Sequence, residues 1–367
     1  MNHVPDPLPE PFHTVAIDVL DPAKASLLER LVALINHVHL CDGGPANPIW
    51  YPHTFAGVFS DRGHRRRHLL VSAPWGSDGA MVDVARVSIS LPVLDNLHRC
   101  EVDLDVHPDF RRRGVGSSLL AWARTEAVAG GRRVAAFATT APVGEEDRSA
   151  GFAKAAGARS TLDILQSWLP LPSDDAGRVA LHARIDALEA AAASAATGYR
   201  LVTWQGAIPA QYLDDRAAMA VAISTDAPSG EQEIEAEVWD PARVLEQQER
   251  AQQIMRRTLL SAGAIEIASG RLVAITELLV EEPPPYVTFQ NDTLVLGSHR
   301  GHRLGWLVKI ANLRQLLAVR PDASHIDTWN AGVNEHMLAI NRAMGFEPVI
   351  TETVWELALD AAEPAGR

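Results

Sequence analysis

Two stretches of this chain carry residues whose types and spacing could do chemistry. The first is Val106-His107-Pro108-Asp109-Phe110-Arg111-Arg112-Arg113-Gly114-Val115-Gly116-Ser117. A planar guanidinium binds phosphate oxygens in pairs, and glycine lets backbone amides come close to a ligand. Where such a loop opens a helix, the free amides and the positive end of the helix dipole hold an anion. Three arginines suit an anion of several charges, as a pyrophosphate is. The spacing matches neither Gly-x-x-x-x-Gly-Lys-Ser/Thr nor Gly-x-Gly-x-x-Gly. It is Arg-x-x-Gly-x-Gly, over Arg111, Gly114 and Gly116.

The second stretch, Asp292-Thr293-Leu294-Val295-Leu296-Gly297-Ser298-His299-Arg300-Gly301-His302-Arg303-Leu304-Gly305, repeats the first. Placing Arg300 on Arg111 puts Val295 on Val106, Asp292 on Asp103 and Gly305 on Gly116, with Arg303 in the place of Gly114. A repeat at this separation implies two copies of one domain.

Elements that would position these loops can be read on both sides of each. Before the first, Glu101, Asp103 and Asp105 alternate with Val102, Leu104 and Val106, the period of a half-buried strand. After it, Leu119, Leu120, Trp122 and Ala123 recur at helical spacing, and the helix stops at Gly130-Gly131. Upstream come a strand near Phe12 to Val19, a helix from Asp21-Pro22 with Leu27, Leu28, Leu31, Leu34, Ile35 and Val38 on one face, and strands at His68 to Ala73 and Ala80 to Ser90 joined by Trp75-Gly76-Ser77-Asp78-Gly79. Leu162 to Leu171 closes a first domain, 12–172, behind a proline-rich flexible arm, 1–11. An alanine-rich connecting helix occupies the linker, 173–198, and the second domain is 199–367. In that domain the pattern predicts helices at Gln211 to Ile223 and Pro241 to Ala262, strands at Ala264 to Ile267, Leu272 to Leu279 and Tyr286 to Val295 around the loop Pro283-Pro284-Pro285, and a strand at Ile326 to Trp329.

The Arg-x-x-Gly-x-Gly loop after Val-x-Pro resembles the coenzyme A pyrophosphate loop of the GNAT acyltransferase superfamily. Asn330 to Phe346, with Asn334 at a helix start and Gly345-Phe346 at its close, resembles that family's last helix. Trp204, Asp292-Thr293, His299-Arg300-Gly301-His302 and Asn341 resemble actinobacterial tandem GNAT proteins. The fold implied is mixed α/β (α+β): two GNAT-type domains, each a mostly antiparallel central sheet flanked by helices. The activity implied is transfer of an acetyl group from acetyl-CoA, a co-substrate, to the amine of a small molecule by direct attack.

For the second copy the resemblance implies that coenzyme A is held by Val295, Leu296, Arg300, Gly301, His302, Arg303, Leu304, Gly305, Asn330 and Asn334. For the first it implies Val106, Arg111, Arg112, Arg113, Gly114, Val115, Gly116 and Ser117. A backbone amide at Val106 or Val295, or at their successors, would face the developing oxyanion. Asp292 is the candidate base, with Glu277 behind it, and Glu101 and Asp103 are the counterparts in the first copy. The family tyrosine that protonates the leaving thiolate is replaced by Ala153 and by Asn341; the amide of Asn341 could bond the thioester sulfur or hold a water. The second copy is expected to catalyse, the first to support the pair or bind coenzyme A without turnover. The rival reading is a non-catalytic acetyl-CoA-binding or scaffold protein.

Composition bounds these expectations. The 367 residues suit two ordinary domains, and 47% hydrophobic with 22% charged residues are globular values. A net charge of −13 argues against a nucleic-acid partner. Cys41 and Cys100 lack metal or disulfide spacing, His299 and His302 read as loop or surface residues, and no metal is expected. No apolar run reaches membrane-spanning length, so no membrane partner is expected. A reducing cytoplasm is the expected location, and a homodimer is left open.

Overall fold

The computed structural model describes residues 8–282 and 287–359. Of the expected arm, 1–11, residues 1–7 lie outside them, as does the proline run Pro283-Pro284-Pro285, whereas Leu8 is buried in a core. In chain order the elements are β1 His13–Ile17, α1 Ala25–Gly43, α2 Pro52–Val58, β2 His64–Trp75, β3 Ala80–Pro92, β4 Arg99–Val106, α3 Val115–Ala129, β5 Val134–Pro142, α4 Ala150–Ala155 and β6 Arg159–Pro170. They continue with α5 Asp175–Ala193, β7 Tyr199–Gln205, α6 Leu213–Asp226, α7 Pro241–Gln253, β8 Thr258–Glu266, β9 Leu272–Val280, β10 Val287–Val295, α8 Leu304–Val319, β11 His325–Ala331, α9 Glu335–Met344 and β12 Glu347–Ala358.

The chain forms two compact units that are not consecutive blocks of sequence. The first takes the residues up to Asp163, Gly230–Gln232 and the chain from Ile350 on; the second takes Ile164–Ser229 and Glu233–Val349. In the first unit the strand order is β1-β2-β3-β4-β5-β12, antiparallel except where β4 meets β5. In the second it is β7-β8-β9-β10-β11 followed by β6 from Ile164, antiparallel except where β10 meets β11. The strand after α4 therefore serves the second unit, and the strand after α9 closes the first.

Local chemistry explains most of these elements. The β2–β3 hairpin turns on Gly76 and Gly79, both in the left-handed region at φ 74° and 64°. In the first unit, β-strand residues Leu69, Val87, Ile89 and Val102 bury against Val115, Leu119, Trp122 and Ala123 of α3. In the second, Leu260, Leu278 and Ile326 bury against Ile310, Leu313 and Leu316 of α8, each such side chain stabilising by roughly 1.5–3 kcal/mol. The connecting helix is α5; its Leu181 and Ile185 join this second core, and Asp174 caps it by accepting from the Gly177 amide at 2.8 Å. The helix expected to reach Ala262 is corrected: α7 ends at Gln253 and β8 starts at Thr258. Arg256 takes φ 53° there, and burial of Leu259 and Leu260 in the sheet outweighs helical propensity.

Candidate functional site

In each unit two neighbouring parallel strands pair for only three residues and then part. β4 meets β5 at Arg99, Cys100 and Glu101; β10 meets β11 at Val287, Thr288 and Phe289. Beyond those pairs the inner edges of β4 and β10 have no partner strand. Backbone amides in a strand alternate sides. The amides of His107 and Leu296 donate to Val84 O at 2.8 Å and Val273 O at 3.0 Å, within the sheet. Those successors are spent, and the amides of Val106 and Val295 turn to the open edge.

The two loops have one backbone. Arg112 and Gly114 lie in the left-handed region at φ 59° and 81°, and the aligned Gly301 and Arg303 at 86° and 53°. Glycine and arginine have exchanged places at the two left-handed positions, so Arg303 keeps the geometry of Gly114. Its side chain leaves the loop, donating to Ala191 O at 2.7 Å, beside the His302 Nδ1 contact to Ala195 O at 3.0 Å. Neither Gly114 nor Arg303 caps its helix with a side chain, which leaves the first-turn amides of α3 and α8, from Val115, Gly116 and Ser117 and from Leu304 and Gly305, for an anion. A Cβ on Gly116 would lie 3.4 Å from Phe152 and 3.6 Å from Val106; on Gly305, 3.5 Å from Ile340 and 3.7 Å from Val295. Both glycines let the helix start against the strand end.

The leading arginine of each loop is a brace. Arg111 Nε donates to Val106 O at 3.0 Å while its two terminal nitrogens grip Asp42 at 2.8 and 2.7 Å. Arg300 Nε donates to Val295 O at 3.3 Å and Nη2 to Asp226 at 2.6 Å. Asp42 and Asp226, both at helix ends, escaped the sequence reading because they lie 69 and 74 residues from their partners. Arg113 lies over the Phe110 ring, 4.9 Å from its centroid.

Beside the open edge of β10 lies a charged cluster. A bulge sits between Gln290 and Thr293, where three steps on β10 face two on β9. It places the neighbours Asn291 and Asp292 on the same face as Glu277 and Arg216. Arg216, 1% exposed, donates to Glu277 at 2.9 and 3.3 Å and to Asp292 at 2.7 Å; Asn291 Nδ2 donates to Glu277 at 3.0 Å. Burial, with Glu277 adding to it and Arg216 opposing, holds Asp292 above the usual carboxylate range, and 28% of its side chain is exposed. Asp292 and Glu277 are thus brought together; Arg216, far upstream, is the residue the sequence did not single out.

The α9 residues divide. Asn334 Oδ1 accepts from the Met337 amide at 3.2 Å, a helix cap. Asn341, 2% exposed, donates Nδ2 to Asn330 Oδ1 at 2.7 Å, and its Oδ1 has no partner among the described residues. Its counterpart Ala153 is fully buried. Two further groups in the second unit were not foreseen. Lys309, 3% exposed, is pulled down to about 7 by burial. Asp327, the last β11 residue paired with β10, is pushed up to about 7 by burial against its bond from Gln166 Nε2 at 2.8 Å. Neither has a sequence signal, since only the packing of distant strands buries it.

Asp327 yields a pH prediction. Its folded carboxyl holds its proton to a higher pH than the unfolded one, so stability falls as pH rises from about 4 to about 7, at up to about 1.4 kcal/mol per pH unit. Asp327→Asn should remove that slope in urea midpoints measured from pH 4 to 8; an unchanged slope would refute it.

In the first unit Glu101, Asp103 and Asp105 share one face of β4. Asp105 pairs with Arg86, and His39 lies 3.5 Å away. Burial, opposed by Arg86 and helped by Asp105, raises Asp103; desolvation, helped by Asp103, raises Glu101. Among the described residues no group of His, Cys, Asp and Glu could hold a metal ion, and no helix is long and apolar enough to cross a membrane.

Residues 33–157 match the model of the acetyltransferase (GNAT) family. No curated protein matches in sequence. Among solved structures, a tandem GNAT protein from the clavulanic acid biosynthesis pathway is 25% identical, with a TM-score of 0.71 over 97% of this chain and 100% of that one. A GCN5-related N-acetyltransferase from Sphaerobacter thermophilus is 18% identical, with a TM-score of 0.59 over 96% of this chain and 97% of that one. N-myristoyltransferase of Saccharomyces cerevisiae, solved with myristoyl-CoA, is 10% identical with a TM-score of 0.57, over 96% of this chain and 84% of that one, a likeness of fold. With two copies of one loop, one parted strand pair and one closing helix, the chain is similar in fold to that tandem GNAT protein, and its residues 33–157 match the acetyltransferase (GNAT) family model.

Proposed function

We propose that the second unit transfers an acetyl group from acetyl-CoA to the amine of a small molecule, and that the first binds coenzyme A without turnover or supports its partner. One observation carries the reading: the open edge of β10, with its free Val295 amide, lies beside a part-exposed Asp292 whose proton affinity is raised. The α8 amides would take the pyrophosphate. The amine nitrogen would attack the thioester carbonyl, and the Val295 amide would stabilise the oxygen as it gains charge. Asp292, directly or through water, would take the proton from nitrogen; as the C–S bond breaks its electron pair goes to sulfur, and the thiolate takes one proton from water while Asp292 returns its proton to water. Asn341 would supply no acid proton: its Nδ2 donates to Asn330 and its unpartnered Oδ1 can only accept. Positioning of the two substrates supplies most of the rate. Acetyl-CoA as the acyl donor, a reducing cytoplasm as the setting and an association of two copies complete the reading.

Asp292→Asn should lower kcat/KM by about 10²-fold with acetyl-CoA affinity retained. In the parent, kcat/KM should fall as pH drops through the raised pKa of Asp292, because the base must be ionised. A variant with parental kcat/KM across that range would remove Asp292 from the mechanism. The absence of the tyrosine from both α4 and α9 favours the second reading, a coenzyme A-binding protein without turnover. Calorimetric binding of acetyl-CoA with no thiol release over a panel of amines would decide for it.

A further inference from the structure

The β10 bulge determines which face its charged residues occupy. Strand side chains alternate, so a one-residue slip sends each to the opposite face. With the bulge, Gln290 and Thr293 face α8, whereas Asn291 and Asp292 both face Glu277 and Arg216. Something must hold the extra residue in place. At its far end Thr293 Oγ1 and Thr276 Oγ1 are 2.8 Å apart. At its near end Gln290 Nε2 donates to Glu277 O at 2.8 Å, Thr276 Oγ1 at 3.0 Å and Asn291 O at 3.3 Å, stitching β9 to β10 across the bulge. The Gln290 amide is oriented in turn by Lys309 Nζ, which donates to its Oε1 at 3.0 Å and lies over the Phe346 ring, 5.2 Å from the centroid.

We propose that Lys309 is a positioning residue, which through Gln290 pins the β10 bulge and so keeps Asp292 in the Arg216–Glu277 cluster. Three observations carry this. Lys309 is 3% exposed and, among the described residues, no carboxylate pairs with it, an arrangement costly to stability. Among the described residues its hydrogen bond goes to the residue that starts the bulge. The first unit supplies the contrast: Leu120 stands four residues after Gly116, as Lys309 does after Gly305, and β4 pairs with β3 without a shift of register. The lysine and the bulge occur in the same unit, and leucine with an unbroken register in the other. The catalytic consequence rests on the function proposed above; the structural one does not.

The test is Lys309→Met, which keeps the length of the side chain and removes the donor. In the ligand-free protein, hydrogen exchange of the amides from Gln290 to Thr293 should quicken by about tenfold or more, while the rest of α8 stays protected. The melting temperature should hold or rise, because a buried ammonium is gone, while kcat falls at unchanged KM for acetyl-CoA. Gln290→Leu should give the same exchange pattern from the other end of the link and stands in if Lys309→Met does not fold. Unchanged exchange at the bulge would overturn the proposal, and so would exchange quickening throughout the second unit with a lowered melting temperature. If exchange responds as expected but the parent shows no turnover, the acyltransfer reading fails and the clamp stands.

Discussion

Gly305→Glu should abolish the proposed acetyl transfer, and Gly116→Glu should leave it standing. Both substitutions bring a carboxylate to the first turn of a helix whose amides await a pyrophosphate. At an effective dielectric of about 20, like charges about 4 Å apart cost about 4 kcal/mol, close to a thousandfold in affinity. A Cβ alone is tolerated, since its neighbours at Gly305 are 3.5 and 3.7 Å away, so Gly305→Ala serves as the folded control. The assay is thiol release with a responsive amine, and coenzyme A binding by calorimetry shows which site is lost. If Gly116→Glu is the inactive variant, catalysis belongs to the first unit, where Glu101 and Asp103 are the carboxylates on the open strand.

A chain ending at Phe346 should leave the first unit unfolded. β12 pairs with β5 from Ile350↔Pro142 to Ala358↔Val134, and Ile350, Trp355, Leu357 and Leu359 are each no more than 6% exposed. At roughly 1.5–3 kcal/mol per buried side chain, their loss rivals the whole stability of a typical domain, about 5–15 kcal/mol. Trp355 Nε1 also donates to Thr139 Oγ1 at 2.8 Å, and Arg159 spans Glu231 and Glu356. Hydrogen exchange should show β2 to β5 unprotected in the truncated chain, and a peptide covering 347–359 should restore protection. Retained protection would mean that the strand is an accessory.

Much of this was legible in the sequence because it is local. The alternation of Glu101, Asp103 and Asp105, the Gly76–Gly79 turn and the glycine-bearing loops depend on period and on φ. The Arg303 substitution resolves on the same ground: Gly301 and Arg303 use the two left-handed positions that Arg112 and Gly114 use, with the residue types exchanged. What could not be read depends on distant partners. Asp42 and Asp226 brace arginines about 70 residues away. The bulge exists only in register with β9, so no pattern in Gln290 to Thr293 shows that Asp292 faces Arg216. Periodicity likewise carried α7 into β8, since Thr258 to Ala262 becomes strand by burial in the sheet.

The closing of the first sheet by β12 also sets an order of events during synthesis. When Asp163 leaves the ribosome, every residue of the first loop has been made, yet β5 still lacks the strand that arrives with Ile350 to Ala358. At about 5–20 residues per second, the nascent chain carries that bare edge for roughly 10–40 s. An unpaired edge is a template for any extended segment, including the last strand of a neighbouring nascent chain. Two chains on one polysome could close each other's first sheets, so a strand supplied so late in the chain offers a route to interlocked pairs.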